Sequence, residues 1–248
     1  MISIELKNIS KKYKNKFDKQ FLFNSIKNQK KDILKKSGIN NSSSEFYALQ
    51  DINLKIIKND IVGIVGRNGA GKSTLVQIMS GITAPTAGEI ISTDQITPLF
   101  GFGSCFNSEL TGRENIFLTG TAFGMKRVAI ADRLNDIINF SEIETIDTPL
   151  KFYSNGMKAR LGFSISIFIE TDLLILDEAM SGGDVFFQKK CIEKLKDLIK
   201  LHNKTLILIS HNESLMKELC NKVVVMKEGR IVLESDTETA LDFYKTFT

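Results

Sequence analysis

The chain has 248 residues, 42% of them hydrophobic, with 33 Lys and Arg against 29 Asp and Glu. That is enough apolar content for a packed core, and it excludes a disordered chain. A net charge of +4 falls well short of the basic patch that marks a nucleic-acid binder, so no nucleic-acid partner is expected. Cys105, Cys191 and Cys220 are scattered and only two histidines are present, which excludes a zinc constellation and reads as reduced thiols.

Taken in chain order, "MISIELKNIS" alternates like a strand and lacks the charged and apolar regions of a signal peptide. "LQDINLKII" alternates again. Between them lies a Lys-rich insert, about residues 14–46, in which Phe17, Phe21, Leu22, Ile26, Ile33 and Leu34 recur at roughly helical spacing before "SGINNSSS" ends it as a loop. "DIVGIVGRNGAGKSTLVQIMSGI" follows as buried strand, Gly-rich loop and helix. The longest stretch without Asp, Glu, Lys or Arg, Ser73 to Gly88, contains Pro85 and falls short of the roughly 20 apolar residues of a membrane span; any role at a membrane is expected to come through a partner.

Residues from about 97 to 165 read as mostly helical after the loop "FGFGSCFNSELTG". Thr111 followed by Glu114 has the spacing of a capping box. "YSNGMKARLGF", residues 153–163, places a small polar turn ahead of a run that reads as an amphipathic helix. "DLLILDEAM" and "KTLILISHN" are continuous apolar runs, and "KVVVMKEGRIVLES" reads as a hairpin turning at Glu228-Gly229. Apolar strands alternating with helices predict a parallel sheet covered on both faces. The expected fold is α/β: a P-loop core with an antiparallel β subdomain and a helical subdomain. All form one domain, with about 1–96 and 166–248 as core and β subdomain and about 97–165 as the helical part.

The chemistry begins at "GRNGAGKS", Gly66, Arg67, Asn68, Gly69, Ala70, Gly71, Lys72 and Ser73, with Thr74 next. It fits G-x-x-x-x-G-K-[ST] between a strand and a helix, the context this motif requires. Glycines let successive amides face phosphate oxygens, and the helix start adds its positive dipole end. Lys72 is expected on the β- and γ-phosphates and the Ser73 hydroxyl on Mg²⁺. "LLILDE" then puts Asp177 at a strand's C-terminal end, where it can hold the metal, and Glu178 one residue on, where it can orient or deprotonate a water. His211 ends the next apolar strand; it is either structural or a hydrogen-bond partner of a γ-phosphate or the attacking water.

These motifs, with "YSNGMKARL" where a signature sequence stands and "GGD" in the position of a D-loop, resemble the ATP-binding subunits of ABC transporters over nearly the whole chain, less so in the insert. "FNSELTGRENI", "YSNGMKARLGFSI" and "DEAMSGGDVFFQKKC" further resemble the subunits that energise export of capsule, O-antigen or teichoic-acid polysaccharide. The resemblance implies an ATPase that uses ATP and Mg²⁺ in a head-to-tail homodimer. Ser154, Asn155 and Gly156 of one copy then close over the nucleotide of the other, with Asp184 in the D-loop. It implies a multi-span membrane permease as partner, a lipid-linked glycan as cargo and a location on the cytoplasmic face of the bacterial cell membrane. Ser154 also suits an ordinary helix N-cap, and the two roles are compatible.

Tyr13 matches the family's adenine-stacking aromatic, with Tyr47 as the alternative. The family's Q-loop glutamine has no counterpart near Phe102; Phe100, Phe102 and Phe106 are either core or the lining of a groove for the permease. The insert is a solvated charged face, a segment docked by its phenylalanines or one lying near anionic lipid. After "ALDFYKTFT" no room is expected for a carbohydrate-binding domain. Rival readings are an ABC ATPase for another cargo, a soluble one acting on DNA or ribosomes, and a nucleotide-binding module without turnover.

Overall fold

The computed structural model describes residues 1–14, 45–94, 96–100, 105–169, 171–177, 184–202, 204–210 and 212–246. Residues 15–44 of the Lys-rich insert, Phe102, Glu178 and His211 lie outside them. Two sheets and a helical lobe make up the described chain. Strands β1 (Ile2–Lys14), β2 (Glu45–Ile57) and β4 (Ala87–Ser92) form an antiparallel sheet in the order β2-β1-β4. The second sheet runs β5-β6-β7-β3-β8-β9, from β3 (Ile61–Val65), β5 (Ile96–Phe100), β6 (Leu173–Asp177), β7 (Thr205–Ile209), β8 (Lys222–Lys227) and β9 (Arg230–Ser235). Its strands are parallel except β9, which folds back on β8.

The apolar runs are explained by burial on both faces. Every residue of β7 is buried. One face packs on Leu75, Val76, Ile78 and Met79 of helix α1 (Lys72–Met79) together with the inward residues of β1 and β2, Ile4, Leu6, Ile52 and Leu54 among them. The other face is covered by α5 (Val185–His202), α6 (Glu213–Leu219) and α7 (Thr237–Lys245) through Phe187, Leu195, Met216 and Leu241. Ile207, 0% exposed, is a fair gauge of this core: truncation to Ala at such a site costs about 2–5 kcal/mol. Cys191 and Cys220 are free thiols in the second layer, and burial pushes both up to about 12, so they stay protonated at neutral pH.

The helical lobe comprises α2 (Gly112–Ala122), α3 (Arg127–Ser141), a 3₁₀ turn at Leu150–Phe152 and α4 (Asn155–Ile167) around Ile116, Ile130, Ile137, Leu150 and Leu161. The expected capping box starts α2: Glu114 N–H donates to Thr111 Oγ1 at 3.2 Å and Thr111 N–H to Glu114 Oε2 at 2.8 Å. Two expectations change. The run behind the 153–156 turn is not amphipathic, because α4 is buried continuously from Leu161 to Ile167. It serves two cores at once, Leu161 and Ile165 in the lobe and Phe163 and Ile167 in the layer against the large sheet. Residues 96–100 are a strand of the large sheet, not part of the helical stretch. Pro98 conceals this strand in the sequence, and it is tolerated because β5 is an edge.

Candidate functional site

Strand order places Asp177 and the strand that leads into Gly66 on one edge. Ile64 of β3 pairs with Ile209 of β7, Ile209 with Asp177 of β6, and Asp177 with Phe100 of β5. The ends of four adjacent parallel strands therefore lie level. At about 4.8 Å per strand, the Asp177 backbone sits roughly 10 Å from the residue that leads into Gly66. Ser210 and Asn212 continue from β7 on the same edge, and Asn212 caps α6 by accepting from Leu215 N–H at 3.1 Å.

The Gly-rich loop is held by backbone contacts. Ala70 N–H donates to Arg67 carbonyl at 3.0 Å and Leu75 N–H to Gly71 carbonyl at 2.9 Å, the first bond of α1. Gly71 caps the helix at φ 100°, and a Cβ there would lie 2.6 Å from the Ala48 carbonyl oxygen. Both conformation and space require glycine. The amides of the first turn, Lys72, Ser73 and Thr74, have no acceptor within the helix, and that turn carries no acidic residue. Lys72 Nζ reaches back to the Gly66 carbonyl at 2.6 Å and the Arg67 carbonyl at 3.3 Å. A cation beside the N-terminus of a helix makes an anion cradle.

A cleft of about 810 Å³ runs from this cradle to a group of aromatic rings. Its lining comprises Asn68, Gly69, Ala70, Gly71, Lys72, Ser73 and Thr74 of the cradle, the rings of Tyr13, Phe46 and Tyr47, and Ala48, Gln50, Glu228 and Gly229. Tyr13 stacks on Phe46 with centroids 5.8 Å apart, while Lys12 Nζ lies 4.7 Å from the Tyr47 ring centre. Both tyrosines considered from the sequence thus line the cleft. Phe46, Gln50 and Glu228 were not among the expected residues. Strand pairing brings them in: β1 against β2 matches Tyr13 with Phe46, and the 228–229 turn bonds to the loop through Gly229 N–H to Ala70 carbonyl, 3.1 Å.

The turn at 153–156 is elsewhere, and none of Ser154, Asn155 or Gly156 lines the cleft. Ser154 is an N-cap, its Oγ accepting from Met157 N–H at 3.1 Å. Ser154 and Asn155 are exposed. Among the described residues, a Cβ added to Gly156 would meet nothing closer than Ser154 Oγ at 3.7 Å, so none of them requires glycine there. Asp184 caps α5, accepting from Phe187 N–H at 3.0 Å, and pairs with Arg160 of α4. The Phe187 amide and the Arg160 guanidinium hold its carboxyl below the usual range. Arg160 also meets Glu142 at 3.4 Å, and Glu142 meets Lys190 at 2.7 Å. This chain of charges ties the helix behind the turn to the segment after β6; the sequence carried no sign of it beyond the arginine itself. Phe106 packs on the lobe core.

Residues 49–181 match the ABC transporter family. Over 80% of its length the chain is 42% identical to the ABC transporter protein AbcA of Aeromonas salmonicida, a match that spans 65% of that protein. It is 38% identical to the O-antigen export system ATP-binding protein RfbB of Klebsiella pneumoniae, covering 81% of this chain and 82% of that one. Against the teichoic acids export ATP-binding protein TagH of Staphylococcus haemolyticus it is 36% identical, covering 99% and 89%. Among solved structures, a dimeric ATP-binding cassette in a post-hydrolysis state with ADP and Pi superposes with a TM-score of 0.73 at 21% identity, over 94% of this chain and 98% of that one. An ATP-binding subunit of an ABC transporter gives 0.74 at 19% identity, over 98% of each. At those identities the structures speak for the fold, which is that of the cassette.

Proposed function

The chain belongs to the ABC transporter family as an ATPase subunit, and from that premise we propose that it powers export of a lipid-linked polysaccharide through a separate membrane permease, from the cytoplasmic face of a bacterial cell membrane. The observation that carries the cargo is the likeness, at 36–38% identity over most of the chain, to subunits named for O-antigen and teichoic-acid export. No described helix is long and apolar enough to cross a membrane, which suits a subunit that relies on a permease.

Two copies work head to tail. The cradle of Gly66, Arg67, Asn68, Gly69, Ala70, Gly71, Lys72, Ser73 and Thr74 holds the triphosphate, and Tyr13, backed by Phe46, takes the adenine. Ser73 and Asp177 supply hard oxygen donors for Mg²⁺. Among the described residues no cluster of three His, Cys, Asp or Glu could hold a metal, and this fits an ion carried largely by phosphates with one or two protein oxygens. When bound, the ion neutralises charge on the β- and γ-phosphates.

Glu178 accepts a proton from the attacking water. The water oxygen bonds to the γ-phosphorus as the bond to the bridging oxygen breaks, and ADP and phosphate leave. His211 hydrogen-bonds the γ-phosphate, and Ser154, Asn155 and Gly156 of the second copy seal it from the other side. Asp184 holds α5 in register with the helix behind that seal. The spare room at Gly156 supports this reading, since a glycine with no need of its own leaves space for a neighbour.

The test is reconstitution with the permease in vesicles. Turnover stimulated by a lipid-linked glycan, and ATP-bound dimers trapped by Glu178→Gln, are expected. A wild-type chain that binds ATP yet never hydrolyses it with its permease would refute the proposal.

A further inference from the structure

One feature of the cleft runs against its charge. A nucleoside triphosphate is strongly anionic, yet Glu228 lines the cleft built to hold it. Among the described residues the Glu228 carboxylate has no hydrogen-bond or ion-pair partner. Its backbone is also in an unusual place. Lys227 pairs with Arg230 across a two-residue hairpin loop, with Glu228 at φ 49° and Gly229 at φ 76°. Positive φ at both loop positions suits a type I′ turn, whose first position favours Asn, Asp or Gly. Glu in the left-handed region is disfavoured, and no local hydrogen bond of its side chain offsets this.

The turn is fixed through Gly229. Gly229 N–H donates to the Ala70 carbonyl at 3.1 Å, and Gly229 carbonyl accepts from Gln50 N–H at 2.8 Å. A Cβ on Gly229 would lie 2.7 Å from the Ala48 carbonyl oxygen, so the contact is close enough to demand glycine. Ala70 belongs to the phosphate end. Ala48 and Gln50 follow the aromatic shelf of Phe46 and Tyr47 along β2. Glu228 is therefore held between base and phosphates, where a bound nucleotide places its sugar.

We infer that Glu228 is a specificity-determining residue that accepts hydrogen bonds from the ribose hydroxyls of the nucleotide. The inference rests on the ATP-binding reading. A carboxylate that repels phosphates is useful in this position only against donors, and the sugar is the part of the ligand at that level that offers them. Hydrogen bonds to charged acceptors are strong enough to shift affinity by about tenfold.

The experiment measures binding of ATP, 2′-deoxy-ATP, 3′-deoxy-ATP and GTP to the full chain and to Glu228→Ala and Glu228→Gln, with thermal melts to confirm folding. The wild type is expected to favour ATP over at least one deoxy analogue by about tenfold. Glu228→Ala should remove that preference by weakening ATP alone, Glu228→Gln should retain part of it, and the ATP-to-GTP ratio should stay as in the wild type. Equal weakening or tightening of ATP and both deoxy analogues would overturn the inference, as would an altered preference for adenine or a wild type indifferent to the sugar hydroxyls. A chain that bound no nucleotide at all would instead overturn the function proposed above.

Discussion

Two helices of this molecule start on glycine-bearing turns, and the two glycines answer to different neighbours. At the head of α1, Gly71 is required by the chain itself: its φ of 100° and the Ala48 carbonyl oxygen 2.6 Å from a Cβ position leave no other residue. At the head of α4, Gly156 has room for a side chain, with Ser154 Oγ at 3.7 Å the nearest contact among the described residues. One turn is a finished half-site, walled and latched by β2 and the β8–β9 hairpin. The other is capped by Ser154 but faces outward. The chain thus closes the first turn within itself and leaves the second open, as the proposed lid requires.

The sharpest contrast comes from the same substitution at both places. Gly71→Ala is expected to lose ATP affinity by at least tenfold and to destabilise the fold by about 1–3 kcal/mol, because it adds strain at positive φ to a clash with backbone. Gly156→Ala should leave ATP binding intact and raise stability by about 0.5–1 kcal/mol, as Ala does over Gly in a helix. Turnover should nonetheless fall if a second copy approaches there. Nucleotide binding, thermal melts and ATPase rates on the two variants decide between these outcomes. Equal behaviour of the pair would erase the comparison.

Ser154→Ala should destabilise α4 by about 1 kcal/mol through loss of the cap alone. If the hydroxyl also meets a phosphate of the second copy, turnover falls by more than Ser154→Asn, which keeps a cap, would cause by stability alone. Rates at matched stability separate the two roles.

The smallest expected effect is on acid sensitivity. Hydrogen bonds from Thr111 hold the Glu114 carboxyl below its ordinary value; Arg113 does the same for Asp147, and the Phe187 amide and Arg160 for Asp184. A carboxyl depressed in the folded state contributes stability that is full above its unfolded value and is lost as pH falls through the folded one. All three are exposed, so the effect is modest. Below about pH 4, amides in the first turns of α2 and α5 should lose hydrogen-exchange protection before those of β3 and α1, whose first turn contains no carboxylate. Simultaneous loss would contradict this.

The cradle was legible because its physics is local: a Gly-Lys-Ser loop between a strand and a helix has few other uses. The capping box at Thr111 and the hairpin turn at Glu228-Gly229 were legible for the same reason. What escaped is what pairing and packing decide. Phe46 becomes part of the aromatic shelf only through its register with Tyr13. Strand β5 hides behind Pro98, which is allowed only at an edge that the sequence does not reveal. The helix behind Ser154 reads as amphipathic until two separate cores claim its faces.

Mixing two inactive variants shows whether the lid belongs to a second copy. Lys72→Ala spoils a cradle and leaves its lid, while Gly156→Asp spoils a lid and leaves its cradle. Neither should turn over ATP alone. Mixed in equal amounts, they should recover about a quarter of the wild-type rate, since half of the pairs are mixed and one of their two sites is intact. A mixture as inactive as its components, with mixed pairs demonstrably formed, would contradict it.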